Sequence, residues 1–286
     1  MIQVNRKTVE LSRFPDGTLH LVPEIDMSNA DYHVTISWYY ENDSEMAALM
    51  FLTKHFKENG FEVILFMPYI PNARMDRVKN ENDVFTLKYF ADFINSLHFF
   101  LVIVLDPHSA VSEALINNII AFTPVDYIEK AFERINEETG GETTIAFYPD
   151  EGAMKRYSEI IDCPYAFGVK RRDWSTGKIL GLDVIGDENY LRGKNVIIID
   201  DISSKGGTFY HSAKKLKEVG VNKIFLYVTH CEKTILEGEV FTSGLIDKVY
   251  TTNSIFTPAA LELAKSKGLS DKIEVFELEN ESYVTD

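Results

Sequence analysis

The chain has 286 residues, of which 45% are hydrophobic and 26% are charged, a globular composition in a chain long enough for two domains. Its formal net charge of −15 argues against a nucleic-acid partner, and its two cysteines, which lack metal-ligand spacing, exclude a disulfide scaffold and a cysteine zinc site. No apolar run reaches the roughly 18 residues of a membrane span, and the first residues contain no signal-peptide core, so we expect a cytoplasmic protein without a membrane partner.

Apolar runs predict five buried strands, in chain order at residues 63–69, 99–106, 143–150, 195–200 and 223–230. After the first run, Asp83 is expected to cap a helix whose apolar positions follow helical spacing, namely Leu87, Phe90, Ala91, Ile94 and Leu97. A second helix between the last two strands carries Phe209, Ala213, Leu216 and Val219 and is expected to end at Gly220. Buried strands that alternate with helices predict an α/β fold with parallel sheets.

A polar segment separates the second predicted strand from the third. Residues 130–141 (KAFERINEETGG) are rich in charged side chains and end in two glycines. We therefore expect a domain boundary near residues 122 to 130, with an N-terminal domain at 1–125 and a C-terminal domain at 126–286.

Three of the predicted strands end in acidic residues. Asp106 follows the second strand together with His108, Asp150 follows the third, and Asp200 and Asp201 follow the fourth. In open parallel sheets, ligands bind beyond the carboxyl ends of the strands, and such oxygen ligands suit Mg²⁺ with water and phosphate. For any one aspartate alone, a helix cap or a turn is the better interpretation. The recurrence, with one doublet, favours a site.

The segment that follows the doublet is typical of a phosphate-binding loop. Glycines let the backbone approach a ligand closely, and amide N–H groups at the start of the next helix favour a phosphate. We expect this loop to hold the phosphate, while Asp200 and Asp201 face sugar hydroxyls or metal-bound water. The expected loop contacts come from Ser204, Lys205, Gly206, Gly207 and Thr208. The pattern is not a Walker loop.

Several segments together resemble one family. IIIDDISSKGGT (197–208) resembles the ribose-phosphate loop of type I phosphoribosyltransferases. Four other segments resemble motifs of the ribose-phosphate pyrophosphokinases in the same order and spacing: PYIPNARMDR (68–77), LDPHSA (105–110), YPDEGAMKR (148–156) and VKRRD (169–173). The resemblance covers roughly residues 10 to 255. It implies two tandem type I phosphoribosyltransferase-like domains, each a mainly parallel sheet flanked by helices, with the ATP-binding segment in the first and the ribose-phosphate loop in the second.

The resemblance also implies a reaction. Enzymes of this family bind MgATP and ribose 5-phosphate; the 1-hydroxyl of the sugar attacks the β-phosphorus, and AMP leaves. By position in the motifs, His108 and Asp150 are the expected magnesium ligands. Arg74, Asp76 and His108 are the expected ATP-binding residues.

Two further pairs come from the same resemblance. Lys170 and Arg172 match the catalytic basic pair that stabilises charge on the transferred group. Phe14 and Asp16 match a segment that contacts adenine and reaches into the active site of a neighbouring subunit, which implies a homodimer or a larger homo-oligomer.

Departures from the family pattern leave the acceptor sugar open. At Ser204 and Lys205 the phosphate loop has lost an acid and gained a cation, and Met75 replaces a usual glutamine. A cation and an open loop would suit a ribose whose 5-phosphate carries a further phosphate, such as ADP-ribose, a substrate attributed to some relatives, notably phage-encoded ones. Ordinary ribose 5-phosphate is the other expectation. A non-catalytic regulatory relative and a phosphoribosyltransferase are the alternative functions.

Overall fold

The structure, a computed structural model, describes residues 1–24, 32–172 and 179–278. The chain divides into two compact units, Met1–Thr123 and Pro124–Leu278. Each unit contains one large sheet and its own apolar core. In the described part of the chain, no helix is long and apolar enough to cross a membrane.

The first unit is built on a six-stranded sheet with the order β2-β1-β5-β6-β7-β8. Strands β5 to β8 pair in parallel, and β1 pairs antiparallel with both β2 and β5. Its strands are β1 (Ile2–Val4), β2 (Lys7–Thr8), β3 (Ser12–Arg13), β4 (Leu19–His20), β5 (His33–Trp38), β6 (Glu62–Phe66), β7 (Leu101–Leu105) and β8 (Ile119–Phe122). Its helices are α1 (Glu45–Glu58), α2 (Thr86–Ser96) and α3 (Ala110–Leu115).

The second unit is built on a seven-stranded sheet with the order β11-β10-β9-β12-β13-β14-β15, in which only the β10–β11 pair is antiparallel within the described residues. Its strands are β9 (Thr144–Tyr148), β10 (Tyr165–Arg172), β11 (Ile179–Ile185), β12 (Asn195–Ser203), β13 (Ile224–Cys231), β14 (Lys248–Thr252) and β15 (Ile273–Phe276). Its helices are α4 (Val125–Thr139), α5 (Glu151–Tyr157), α6 (Glu188–Leu191), α7 (Gly207–Val219), α8 (Glu239–Thr242) and α9 (Pro258–Ser266), with 3₁₀ turns at Lys233–Glu237 and Ser270–Lys272.

The main features of the predicted fold are confirmed. Both sheets are mainly parallel and are flanked by helices, and the five predicted strands correspond to β6, β7, β9, β12 and β13. Gly220 ends α7 with a φ of 96°, a left-handed conformation that glycine adopts without a steric penalty.

One local expectation needs revision. Asp83 does not cap α2, because its carboxylate accepts the backbone N–H groups of Lys79 (3.1 Å) and Asn80 (2.9 Å) and so closes a turn before the helix, which begins at Thr86. The polar segment at 130–141 lies mostly within α4. That helix exposes its charged side chains and buries the apolar stripe Tyr127, Ile128, Ala131 and Ile135.

Candidate functional site

The carboxyl edge of the second sheet brings together three of the predicted aspartates. Strands β9 and β12 are parallel neighbours in register from Thr144 opposite Asn195 to Phe147 opposite Ile198. Asp150 follows β9 directly, and Asp200 and Asp201 lie near the end of β12. Because parallel neighbours end at the same edge, one sequence feature repeated on two strands becomes one acidic cluster.

The two adjacent aspartates have different environments. Asp201 is buried, with 4% of its surface exposed, and its Oδ2 lies 3.4 Å from Nη1 of Arg156 on α5. Asp200 is partly buried; removal from water raises its pKa well above the ordinary value, and the nearby carboxylates of Asp201 and Asp150 raise it further. The guanidinium therefore compensates Asp201, and Asp200 retains an ionisation cost that a bound ligand could relieve.

Asp150 has a structural role as the N-cap of α5. Its Oδ1 accepts a hydrogen bond from the backbone N–H of Ala153 at 3.1 Å. The capping interpretation that applies to a single aspartate thus holds for this residue. A cap does not exclude a metal contact, because a carboxylate has two oxygens and several lone pairs.

The carboxylates at this sheet edge suit a magnesium ion that keeps part of its water shell better than a metal ion held only by protein ligands. Among the described residues, no group of three or more His, Cys, Asp or Glu side chains is arranged to hold a metal. Mg²⁺ commonly takes only one or two carboxylates and completes its shell with water and substrate phosphate. Asp150 suits that kind of site, because it lies near Asp200, whose pKa is raised by burial and by neighbouring carboxylates.

The loop between β12 and α7 presents unpaired backbone donors. Gly206 adopts a φ of 76° and starts α7, with its carbonyl accepting the N–H of Tyr210 at 3.0 Å. Within the described ranges, no protein acceptor receives the backbone N–H groups of Lys205, Gly206, Gly207 or Thr208. Such donors at the start of a 13-residue helix favour an anion, and the exposed side chain of Lys205 adds a positive charge beside them.

The residues predicted to bind ATP lie on the first sheet. Strands β6 and β7 are parallel neighbours, and the N–H of Leu105 binds the carbonyl of Pro68 at 3.1 Å. The loop that carries Arg74 and Asp76 therefore leaves the same sheet edge as the loop that carries His108. Arg74 is exposed, and Asp76 lies 3.5 Å from Nε of Arg77.

The backbone is strained at Asp106, two residues before His108. Asp106 is buried and has a φ of 45°, a left-handed conformation that is uncommon outside glycine and costs free energy. The sequence predicted one cluster from three strand ends, but β7 belongs to the first sheet, whereas β9 and β12 belong to the second. Sheet topology therefore places Asp150, Asp200 and Asp201 at one edge of the second sheet and His108 at an edge of the first.

The predicted adenine-contacting segment is a hairpin. Strands β3 and β4 pair antiparallel, the N–H of Phe14 binds the carbonyl of Thr18 at 2.9 Å, and Gly17 has a φ of 85°. Asp16 accepts both the N–H (2.9 Å) and the hydroxyl (2.7 Å) of Thr18, which lowers its pKa. Its carboxylate thus shapes the turn, and the half-exposed ring of Phe14 is available for contact.

The predicted catalytic pair lies at the end of β10. In the antiparallel pairing with β11, Lys170 is opposite Leu182, and the register shifts between Arg171 and Arg172. The side chains of Lys170 and Arg172 lie outside the described part of the structure.

Sequence reasoning missed two residues that support the phosphate loop and the aspartates. Arg156 was quoted within a motif but was not recognised as the partner of Asp201. Gly238 had no sequence signal, because its role depends on a contact with a distant segment.

Comparisons with known proteins agree with this architecture. The family model described as "Phosphoribosyl transferase domain" matches residues 125–244. The ribose-phosphate pyrophosphokinase of Thermococcus kodakarensis is 29% identical over 260 residues, which cover 88% of this chain and 87% of that protein. The Shewanella oneidensis protein of the same name is 26% identical over 264 residues, which cover 89% of this chain and 81% of that protein.

A solved structure is similar over both units. The crystal structure of phosphoribosylpyrophosphate synthetase from Mycobacterium smegmatis matches with a TM-score of 0.71 at 18% sequence identity, covering 94% of this chain and 86% of that chain. Most of the second unit is thus similar to a phosphoribosyltransferase domain. The similarity to the curated ribose-phosphate pyrophosphokinases extends well beyond that domain and covers most of the chain.

Replacing Asp200 with asparagine is expected to stabilise the ligand-free protein at neutral pH. Because the pKa of Asp200 is raised in the folded chain, this residue supports folding at low pH, and that support is lost as the pH rises through the raised pKa. Asparagine keeps an acceptor for the N–H of Asp201, which binds Asp200 Oδ1 at 3.0 Å, and removes the ionisation cost.

Thermal unfolding of chelator-treated protein tests this expectation. Asp200→Asn should raise the midpoint at about pH 8, and the difference from wild type should close toward about pH 4. The exposed Asp271→Asn is the matched control and should follow wild type. An Asp200→Asn midpoint at or below wild type at the higher pH would contradict the strained environment of Asp200.

Proposed function

We propose that the protein transfers the β,γ-pyrophosphoryl group of ATP to the anomeric 1-hydroxyl of a 5-phosphorylated ribose and releases AMP. The observation that carries this proposal is the pairing of an unpaired-amide loop with an acidic cluster on adjacent strands of one sheet. Similarity to curated proteins that are named ribose-phosphate pyrophosphokinase supports the reaction type.

The acceptor phosphate would bind the loop from Ser204 to Thr208. The N–H groups there point to no protein acceptor among the described residues, and α7 contributes its positive dipole end. Asp200 is the better candidate of the aspartate pair for the ribose hydroxyls, because Asp201 is buried beside Arg156. A hydroxyl that donates to Asp200 would offset the desolvation of its carboxylate.

The transfer step forms one bond and breaks one. The 1-hydroxyl oxygen attacks the β-phosphorus, the bond from that phosphorus to the α,β-bridging oxygen breaks, AMP departs with that oxygen, and the hydroxyl proton is lost to the surroundings. Negative charge spreads over the transferred group and the leaving oxygen. Lys170 and Arg172 would stabilise that charge, and Arg74 would bind ATP phosphates through its planar guanidinium.

Magnesium would neutralise phosphate charge and orient the ATP chain. Asp150 and His108 are the residues that we propose to hold it, with Asp150 contributing the oxygen that its cap to Ala153 does not use. We also propose that Phe14, half exposed on its hairpin, contacts adenine in a neighbouring subunit, so that the active enzyme is at least a homodimer.

The acceptor has two candidates, of which ribose 5-phosphate is the default for the family. A specific observation keeps ADP-ribose as the second: Lys205 is exposed at the open end of the amide loop, where a second phosphate could reach it. The expected product would then be ADP-ribose 1-pyrophosphate.

One assay separates the two acceptors. Protein, ATP and Mg²⁺ are incubated with ribose 5-phosphate or ADP-ribose, and AMP and the 1-pyrophosphate product are measured by mass. We expect stoichiometric AMP and pyrophosphorylated sugar with at least one acceptor. If Lys205 binds a second phosphate, Lys205→Ala should raise the KM for ADP-ribose by about tenfold, the equivalent of about 1.4 kcal/mol, and should change the KM for ribose 5-phosphate much less. AMP from neither acceptor would contradict the enzyme and favour a non-catalytic relative.

Lys170→Ala should lower kcat by about a hundredfold or more, because loss of a charge-stabilising donor typically costs about 3 kcal/mol. The neighbouring Arg171→Ala removes an equal charge outside the family's basic pair and should retain most of the wild-type turnover. Steady-state AMP release measured for both variants gives the comparison. Equal turnover in Lys170→Ala and wild type would exclude Lys170 from the transfer step.

A further inference from the structure

The last residue of β12 and the first three residues of the loop contact a second segment, Glu232–Val240, which we call the platform. The carbonyl of Ser203 accepts the N–H of Glu232 at 2.8 Å. The Ser204 hydroxyl lies 3.3 Å from the hydroxyl of Thr234. The next two loop residues continue the series: Lys205 lies against Gly238, and Gly206 lies against Val240. The contacts therefore follow the same residue order along the loop and along the platform.

Gly238 makes the closest of these contacts. A Cβ built on Gly238 would lie 1.9 Å from the carbonyl oxygen of Lys205 and 2.8 Å from its carbonyl carbon. The φ of −92° and ψ of 171° at Gly238 suit any residue. Glycine at this position therefore serves the close approach of two backbones.

Gly206 meets the platform from the loop side. Its φ of 76° already favours glycine, and a Cβ there would lie 2.3 Å from Cγ2 of Val240. The loop and the platform thus approach each other closely at two successive points, backbone to backbone at Gly238 and backbone to side chain at Gly206.

The platform is fixed in the core and cannot easily move away. Ile235, Leu236 and Val240 are all buried in the apolar core of the second unit. The N–H of Gly238 also binds the carbonyl of Ile235 at 3.0 Å. Close-packed interiors yield little to added volume, so an added methyl group at Gly238 would displace the exposed loop before it displaced the platform.

We propose that Gly238 is a positioning residue for acceptor binding: it lets the platform hold the carbonyl of Lys205, and thereby the direction of the following amide N–H groups, in the phosphate-binding geometry. This inference rests on the proposed function for its kinetic consequence. It assigns no contact between Gly238 and substrate.

Gly238→Ala should raise the KM for the acceptor sugar by about tenfold or more, since displacements of about 1 Å in a positioned group can cost about a hundredfold. The KM for ATP should stay within about twofold of wild type, because the close contact of Gly238 is with the acceptor loop. Gly244→Ala is the matched control. Gly244 has a φ of 67° and open space around it, so alanine there costs backbone strain without meeting the loop, and its acceptor KM should match wild type.

Hydrogen–deuterium exchange of the ligand-free protein provides a readout that does not depend on activity. Peptides that cover residues 203–210 should exchange faster in Gly238→Ala than in wild type or Gly244→Ala. Thr234→Val, which keeps the side-chain shape and removes the hydroxyl beside Ser204, should show a smaller increase and gives a second test if Gly238→Ala fails to fold.

The outcomes separate this inference from the proposed function. Faster loop exchange together with a selective rise in acceptor KM supports the positioning role. Unchanged exchange in folded Gly238→Ala and Thr234→Val, or equal rises in the KM values for acceptor and ATP, would overturn it. An inactive wild type would contradict the proposed function, and the exchange comparison would still decide whether Gly238 positions the loop.

Discussion

The site depends on backbone N–H groups that must stay unpaired by the protein and yet keep a fixed direction. Unpaired donors are ordinarily expensive to bury, so they have to face a ligand or water. The loop from Ser204 to Thr208 meets this requirement by starting a long helix with a left-handed glycine, Gly206. Support comes from outside the loop, because the platform contacts the carbonyls and side chains on the other side of the same backbone. The donors are therefore held in place by packing rather than by protein acceptors.

This edge of the second sheet carries both groups that attract anions and groups that repel them. The unpaired N–H groups of the loop and the charge of Lys205 favour anions, whereas the carboxylates of Asp200 and Asp150 repel them unless a cation or sugar hydroxyls lie between. Asp201 has a counter-charge in Arg156, whose Nη1 lies 3.4 Å from its Oδ2. Such strain in the ligand-free protein is common in functional sites, where stability is lower than it could be. The chain has a net charge of −15, which disfavours anions in general. An anion is therefore expected to bind where local donors, such as those of this loop, attract it.

The features that could be predicted from the sequence were the buried strands and a helix end, because each has a local sequence pattern. Apolar runs located β6, β7, β9, β12 and β13, and the glycine at 220 located the end of α7. The assignment of strands to sheets was not predictable in the same way, because β7 and β12 end in similar residues yet belong to different sheets. Asp83 looked like a cap because the sequence did not show its turn with Lys79 and Asn80. Gly238 and Arg156 act through contacts with segments that are distant in sequence, and no periodicity records such contacts.

The most direct test of the account is a measurement of the loop amides themselves. Protein labelled with ¹⁵N-glycine reports Gly206 and Gly207 among its 16 glycines by NMR. Titration with ribose 5-phosphate in the presence of Mg²⁺, and with inorganic phosphate as the minimal probe, should shift these two amide proton signals downfield, as expected for new hydrogen bonds to phosphate oxygens. The account predicts that they show the largest changes of all glycine signals. Saturable binding that leaves both signals in place while other glycines shift would contradict it.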